Sequence, residues 1–433
     1  MVATIIISLI TCGLLILSIL LFPKVKIKNK EFNTFWMISI VGAILALIFQ
    51  CISISDVIDG LFSSSSINPI KILLLFLSMT FLSIFLDEVG FFKFLASLLL
   101  RKCKSNQHTL FVMLYILVSI LTVFTSNDIV ILTFTPFICY FSKNANINPI
   151  PYLVAEFSAA NTWSMMLIIG NPTNIYLATS AGITFIEYVK VMFIPTVLSG
   201  LVQIFLMVLL FNKTLNKPIE IESKQKRIKD KISLIIVLDH LIACLILLIV
   251  SSYVNLPMWI ICVFCAISLL FSISLYYKIK HRSFFTLKQT FARLPWNLIP
   301  FVISMFILVL SLNKQGVTDI IGNILGNEQI VYRYGFASFL SSNLINNIPM
   351  SVLFSTIPNM SNITDTYKAI YSIIVGSNVG AFLTPIGALA GIMFTDLISR
   401  QNIKYNFITF IKYGLIISIP TLLIALITLD YII

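Results

Sequence analysis

Long apolar runs dominate this chain and restrict what it can fold into. Hydrophobic residues make up 58% of its 433 residues and charged residues only 11%, and its mean hydropathy is +1.01. Many runs reach the roughly 20 apolar residues that are needed to cross the hydrocarbon core of a bilayer. The short alternating strands that are typical of a membrane barrel are not found. The sequence therefore predicts an all-α integral membrane protein with roughly 10–12 spans, embedded in the lipid bilayer.

The charged residues favour the same interpretation. The net charge is +12, but the Lys and Arg residues fall in short segments between apolar runs, which is the positive-inside pattern of membrane proteins. No nucleic-acid partner is therefore expected. Cys262 and Cys265 stand inside an apolar run without a His or acidic neighbour, so neither a metal site nor a cofactor is predicted. The first run, Met1 to Phe22, lacks a basic start and a cleavage site, and we interpret it as the first span.

The loops predict the sidedness of the spans. Lys24, Lys26, Lys28 and Lys30 follow the first span and predict a cytoplasmic loop. A second span from about Phe32 to Ile54 leads to an acidic, Ser-rich segment, which is expected to be an outside loop. A Lys-rich segment, 212–231, predicts a cytoplasmic linker between a first half at 1–211 and a second half at 232–433. A further basic loop is predicted from 278 to 293.

Both halves contain apolar segments that are interrupted by clusters of Asn, Thr, Gly and Pro. Unsatisfied backbone costs several kcal/mol in lipid, so broken helices are expected only where they line a cavity or a substrate site. The predicted substrate- and ion-binding residues are Ser126, Asn127, Asp128, Asn161, Thr162, Gly170, Asn171, Thr173, Asn174, Asn343, Asn346, Asn347, Gly376, Ser377, Asn378, Gly380 and Thr384. The three glycines are expected to bring the backbone close to a ligand. The residues expected to fix the breaks are Pro136, Pro172, Pro349 and Pro385.

The order of these features repeats in the two halves. Leu86-Asp87-Glu88-Val89-Gly90 precedes a short amphipathic helix in the first half, and Leu312-Asn313-Lys314-Gln315-Gly316 precedes one in the second. A further span, a broken turn and a Gly/Asn turn follow in both. Because the first half is predicted to start outside and the second inside, the pattern predicts two inverted-topology repeats with re-entrant hairpins.

Intramembrane carboxylates are costly and indicate function. Asp128, in the first polar turn, is the leading candidate for ion coupling, and Glu156 is the second, with an interfacial position as the alternative. Asp87 and Glu88 fall near a predicted cytoplasmic end, where they would cap or anchor a helix or gate access.

Several motifs stand out along the chain, including L-D-E-V-G-F-F at Leu86, N-D-I-V-I-L-T-F-T-P at Asn127, N-N-I-P at Asn346 and T-P-I-G-A-L-A at Thr384. Over nearly the whole chain these motifs resemble those of the bacterial arsenite permease (ArsB) family. The resemblance implies inverted repeats, alternating access and proton-driven extrusion of arsenite or antimonite from the bacterial plasma membrane. It also implies that some members work with a separate ATPase subunit, and the sequence leaves a homodimer open.

The chain departs from that family at two carboxylates. Ala160-Asn161-Thr162 stands where the arsenite permeases usually have Ala-Asp-Thr, and Gly376-Ser377-Asn378 stands where their second turn usually ends in Asp. The turn Gly170-Asn171-Pro172-Thr173-Asn174 is more similar to those of sodium-coupled anion carriers. Two functions therefore remain open, namely ion-coupled export of arsenite, antimonite or a related small anion, and sodium-coupled transport of a di- or tricarboxylate. The scattered His residues and the lack of a phosphate-binding loop argue against an enzyme.

Overall fold

The computed structural model describes residues 1–22, 24–27, 30–62, 68–103, 106–218, 228, 230–254, 256–357, 363–401 and 403–433. The described residues form twenty α-helices, a single 3-10 turn and one short hairpin. Helices α1 to α10 lie before the central basic segment, and α11 to α20 lie after it. Part of that segment, 219–227 and 229, lies outside the described residues.

The helices of the first half share an apolar composition and differ mainly in length. They are α1 (Val2–Leu21), α2 (Phe35–Ile48), α3 (Ile54–Phe62), α4 (Pro69–Glu88), α5 (Phe91–Lys102), α6 (Gln107–Phe124), α7 (Asn127–Asn144), α8 (Ile150–Trp163), α9 (Pro172–Ser180) and α10 (Phe185–Leu215). The 3-10 turn, Ile168–Gly170, lies between α8 and α9.

The second half has the same number of helices, with lengths that differ most between α7 (18 residues) and α17 (8 residues). Its helices are α11 (Lys231–Val254), α12 (Met258–Ile279), α13 (Phe285–Arg293), α14 (Leu298–Lys314), α15 (Val317–Leu325), α16 (Ile330–Ile345), α17 (Asn347–Phe354), α18 (Ile363–Gly380), α19 (Leu389–Arg400) and α20 (Phe407–Ile432). Each helix of the first half thus corresponds in order to one helix of the second half, so that α1 corresponds to α11 and α10 corresponds to α20. The order supports a repeat, and the inversion of one half relative to the other stays a prediction.

Among the described residues, seven helical segments are long and apolar enough to span a membrane, which confirms the predicted all-α membrane class. They are Pro69–Glu88, Gln107–Phe124, Phe185–Leu215, Lys231–Ser251, Met258–Ile279, Phe285–Lys314 and Phe407–Ile432. Shorter apolar helices at Val2–Ser18 and Phe35–Ile48 add to them.

Three segments predicted as connecting loops contain regular structure, and the side of the membrane predicted for each stays a prediction. The segment predicted as the first cytoplasmic loop forms an antiparallel hairpin of β1 (Lys24–Ile27) and β2 (Lys30–Asn33). The hairpin takes up the start of the predicted second span, so α2 begins only at Phe35. The acidic segment predicted to lie outside forms α3, and the basic segment before Pro295 forms α13.

The two halves are interleaved. Helix α2 of the first half packs against α14 of the second, and α12 of the second half packs against α4 of the first. Each half thus covers one helix of the other. Helix α7 packs against α19, α9 packs against α17 and α18, and α10 packs against α20. This exchange brings the polar breaks of both halves to the middle of the molecule.

Four polar breaks interrupt the helices, at 125–126, 164–171, 346 and 381–388. Pro172 begins α9, Pro349 lies in the first turn of α17, and Pro385 lies in the last break. Pro136 instead lies inside α7, where it does not form a break. Three of the four prolines thus stand where the sequence predicted.

Glycines allow the helices near the breaks to approach closely. A Cβ built on Gly414 of α20 would lie 2.5 Å from the carbonyl oxygen of Leu383 and 2.7 Å from that of Phe382. Backbone atoms cannot move aside as a flexible side chain can. We therefore expect Gly414→Ala to destabilise the fold by about 1–3 kcal/mol, as overpacking in cores does.

The control for this prediction is Gly13→Ala in α1, where a built Cβ meets nothing within 4 Å. That change should leave stability unchanged or raise it by up to about 1 kcal/mol, because alanine favours helix. Thermal unfolding of the two detergent-purified variants compares them directly. Equal melting temperatures would contradict the proposed contact.

Candidate functional site

The first polar break carries three of the predicted site residues at the start of α7. Asn127 is buried, and its Nδ2 donates to Oδ1 of Asn161 in α8 over 3.2 Å. Its Oδ1 accepts from the backbone N–H of Asp128 over 2.9 Å. The Ser126 hydroxyl is buried and has no hydrogen-bond partner among the described residues. The Asn127 amide thus joins this break to α8, whereas the Ser126 hydroxyl makes no hydrogen bond in the described structure.

A cavity of about 250 Å³ opens beside this break. Helices α2, α4, α7, α14 and α19 contribute to its walls, so both halves of the chain line it. Its polar lining comes from Thr34, Thr80, Ser126, Asp128, Arg293, Asn297 and Asp396. The Thr80 hydroxyl, like that of Ser126, is buried without a partner in the described structure. Ser126, Thr80 and Asp128 therefore line a space that is large enough for a small solute.

The second and fourth breaks meet through amides. Oδ1 of Asn378 lies 3.0 Å from Nδ2 of Asn171 and 2.9 Å from the Ser164 hydroxyl. Nδ2 of Asn378 donates to Oδ1 of Asn174 over 2.6 Å and to the carbonyl of Ile374 over 2.8 Å. All four side chains are at most 1% exposed. We call Ser164, Asn171, Asn174 and Asn378 the amide cluster.

The amide cluster is built by the local backbone around residue 164. Nδ2 of Asn174 donates to the carbonyl of Ser164, just after the end of α8, and to the carbonyl of Leu167, just before the 3-10 turn. Oδ1 of Asn171 caps α9 by accepting from the backbone and hydroxyl of Thr173, both at 3.1 Å. The prediction that these polar turns face each other across the two halves is confirmed by this geometry, and their role in binding stays a prediction.

The third break is tied to the fourth within the second half. Asn343 accepts from the backbone and hydroxyl of Thr384 and donates to the carbonyl of Gly380. Asn346 donates to the carbonyl of Ile386 over 2.9 Å, and the backbone N–H of Asn347 donates to Gly387. These side chains therefore hold the backbone of the two breaks together.

The predicted glycines lie against protein. A Cβ on Gly170 would collide with the carbonyl of Ser164, and one on Gly376 with the hydroxyl of Ser338 and the carbonyl of Gly335. A Cβ on Gly380 would meet the hydroxyl of Ser342. Neighbouring backbone and hydroxyl groups thus fill the space that a side chain would take at each of these glycines, and a role in ligand binding stays a prediction.

Thr162 and Ser377 lie next to the predicted carboxylate replacements but make different contacts. The Thr162 hydroxyl accepts from Nε2 of Gln203 in α10 over 2.7 Å. Oε1 of Gln203 in turn accepts from Tyr115, whose oxygen also accepts from Trp163 over 3.0 Å. The Ser377 hydroxyl is buried without a partner among the described residues.

Glu156 lies in the middle of α8 rather than at a helix end, and it is fully buried. Its depth in the bilayer stays a prediction. Its two carboxyl oxygens lie 2.9 and 3.0 Å from the Thr135 hydroxyl of α7. It does not line the cavity, whereas Asp128 does.

Arg293, Ser164 and Gln203 were missed in the sequence. Arg293 contacts Asp87 at 2.7 Å and Glu88 at 2.5 Å, so these acidic residues form an ion pair rather than a helix cap. Asp396 and Arg400 pair four residues apart at 2.7 Å. A signal for Ser164 existed, since it stands one turn after Asn161. Arg293 and Gln203 have no local signal, because their partners lie far away in sequence.

Comparison with known proteins agrees with this architecture. A family model described as "Citrate transporter" (CitMHS) matches residues 31–369. An "Arsenical pump membrane protein" of Escherichia coli is 25% identical over 405 residues, covering 89% of this chain and 90% of its own length. A protein of the same name from Yersinia enterocolitica is 24% identical over 368 residues, covering 81% and 84%.

An uncharacterised transporter of Mycobacterium bovis is 22% identical over 418 residues, covering 91% of this chain and 92% of its own. These relatives match nearly the full length of the chain, as the predicted resemblance required. Together with the interleaved helices and the paired breaks, the family model identifies the chain as a member of the CitMHS citrate transporter family of membrane transport proteins.

Proposed function

We propose that the protein exports a trivalent arsenic or antimony oxyacid across the bacterial plasma membrane, coupled to an ion that binds at Asp128. The amide cluster is the observation that carries the proposal. It joins the breaks of both halves with uncharged groups that donate and accept hydrogen bonds, and it is fully buried. Arsenous acid is an uncharged solute with three hydroxyls near neutral pH, so its desolvation is offset by such groups without a counter-charge.

The cluster is self-satisfied in this structure. Its amides bond to each other, so a solute would have to exchange these bonds as it enters from the cavity. Asn127 joins the cavity wall to this cluster through Asn161, whose carbonyl lies 2.8 Å from the Ser164 hydroxyl. Closing and reopening of the cluster around the solute is the alternating-access step that we propose, with Asp128 at the cavity side as the ion site.

A second candidate is sodium-coupled transport of an organic anion such as a di- or tricarboxylate. The family model, which is named for citrate, favours it, and so does the turn Gly170-Asn171-Pro172-Thr173-Asn174. The charge of the cavity argues against it, because Arg293, the only Lys or Arg among its lining residues, is already paired with two carboxylates. An incoming polyanion would meet no unpaired cation there.

Flux into proteoliposomes separates the two candidates. Arsenite, antimonite, citrate and succinate are offered in parallel, first under an imposed pH gradient and then under a Na⁺ gradient. We expect arsenite and antimonite to move and the carboxylates to stay outside. Movement of citrate or succinate driven by Na⁺, without arsenite, would overturn the proposal in favour of the second candidate.

A further inference from the structure

The guanidinium of Arg293 is neutralised where it meets the cavity. Arg293 is the last residue of α13, and its Nη1 lies 2.7 Å from Oδ2 of Asp87 and 2.5 Å from Oε1 of Glu88. Both carboxylates stand at the end of α4. The side chain of Asp87 is only 2% exposed and that of Arg293 is 29% exposed. One guanidinium held between two carboxylates carries a formal charge of about −1 as a group, so its attraction for an anion is cancelled.

The other charged lining residues do not restore a positive field. Asp128 and Asp396 face the same cavity, and Asp396 is paired with Arg400 at 2.7 Å. A di- or tricarboxylate entering this space would therefore approach carboxylates. An uncharged oxyacid experiences no such repulsion. The walls thus discriminate by charge before the solute reaches the amide cluster.

We propose that Asp87 and Glu88 are specificity-determining residues, which exclude multiply charged carboxylates by neutralising Arg293. The inference rests on the proposed function, since it explains how a member of a family named for citrate would accept an uncharged oxyacid instead. If the two carboxylates are removed, the guanidinium is released within the cavity wall. The cavity then gains the unpaired cation that a carboxylate requires.

The second half provides a matched control. Lys314 stands at the end of α14, as Glu88 does at the end of α4, and its Nζ lies 2.8 Å from Oδ1 of Asp56 in α3. This ion pair joins the same types of element with the charges reversed. Neither Lys314 nor Asp56 lines the cavity. Asp56→Asn therefore breaks an ion pair between the halves without changing the charge of the cavity.

The experiment measures inhibition of arsenite flux by citrate in proteoliposomes containing the full-length protein. Citrate should barely inhibit the wild type or Asp56→Asn. In Asp87→Asn/Glu88→Gln, we expect the citrate concentration for half inhibition to fall at least about tenfold, because an unpaired charge in a partly buried site strengthens anion binding. Adding Arg293→Gln to the double variant should reverse the gain.

Glu88→Gln alone covers the case in which the double variant does not fold, because Asp87 then still pairs with Arg293. It should shift inhibition in the same direction by a smaller factor, and stabilisation of the purified variant by citrate on heating should increase in parallel. Arsenite flux without any gain of citrate inhibition would overturn this inference alone. A gain in citrate inhibition that persists when Arg293→Gln is added to the double variant would also overturn it. Citrate flux in the wild type without arsenite flux would instead contradict the proposed function.

Discussion

Asn378→Ala should abolish transport while the protein still inserts into the membrane. The change removes both polar atoms through which Asn378 of α18 contacts the first half. Nδ2 of Asn171, Oδ1 of Asn174 and the carbonyl of Ile374 each lose a partner at a fully buried position. An unsatisfied buried group costs about 1–3 kcal/mol, so the combined loss corresponds to a decrease in flux of about a hundredfold or more.

The measurement compares arsenite flux per inserted molecule for Asn378→Ala and Asn127→Ala with that of Asn106→Ala. Asn106 caps α6 at an exposed position, and its side chain accepts only from the backbone of Thr109 in the described contacts. Its loss costs about 1 kcal/mol of helix stability without touching the breaks. Normal transport by both Asn378→Ala and Asn127→Ala would remove the amide cluster and the first break from the site.

The second large effect is expected from Asp128→Asn, which should remove the dependence of flux on the coupling ion. Asp128 is the carboxyl group of the first break, and it faces the cavity beside the unsatisfied hydroxyls of Ser126 and Thr80. An amide of the same shape preserves the packing but can neither release a proton nor neutralise a cation. Arsenite flux should therefore become the same with and without an imposed pH or Na⁺ gradient.

Glu156→Gln is the matched control for this experiment. Glu156 is also a buried carboxyl group next to α7, but its described side-chain contact is the Thr135 hydroxyl and it lines no part of the cavity. We expect this variant to keep its response to the gradient. If Glu156→Gln loses the response and Asp128→Asn keeps it, the coupling site belongs to Glu156.

The membrane class and the position of the breaks could be predicted from the sequence because both are local properties. Apolar runs of sufficient length have one stable environment, and a cluster such as Gly170-Asn171-Pro172-Thr173-Asn174 cannot continue a helix. The short polar helices α3 and α13 could not be predicted, because their regular structure depends on contacts with distant parts of the chain. Helices α3 and α13 have Lys, Arg or Asp residues on one face, and only their packing against α14 and α4 makes them regular.

The contacts that assemble the site could be predicted only in outline. Repeated Asn-rich turns indicated that the halves face each other, yet nothing in the sequence pairs Asn378 with Asn171 over 207 positions. The pairing of Arg293 with Asp87 could not be predicted either, since it depends on how α13 crosses α4. Gly376 and Gly380 are predicted to bring the backbone close to a ligand, because a sequence cannot distinguish close approach to a solute from close approach to another helix.

The interleaving of the two halves has a consequence for biosynthesis. Helix α4 is covered by α12, and Asn171 and Asn174 find Asn378, only after most of the chain has been translated. Until then, the nascent first half exposes to the bilayer the Asn171 and Asn174 amides and the face of α4 that are buried in the complete protein. A ribosome that stalls before residue 378 would therefore leave an inserted but incomplete protein, with exposed polar groups that membrane quality-control proteases can recognise. Co-expression of the two halves as separate polypeptides should rescue assembly only if both are present during insertion.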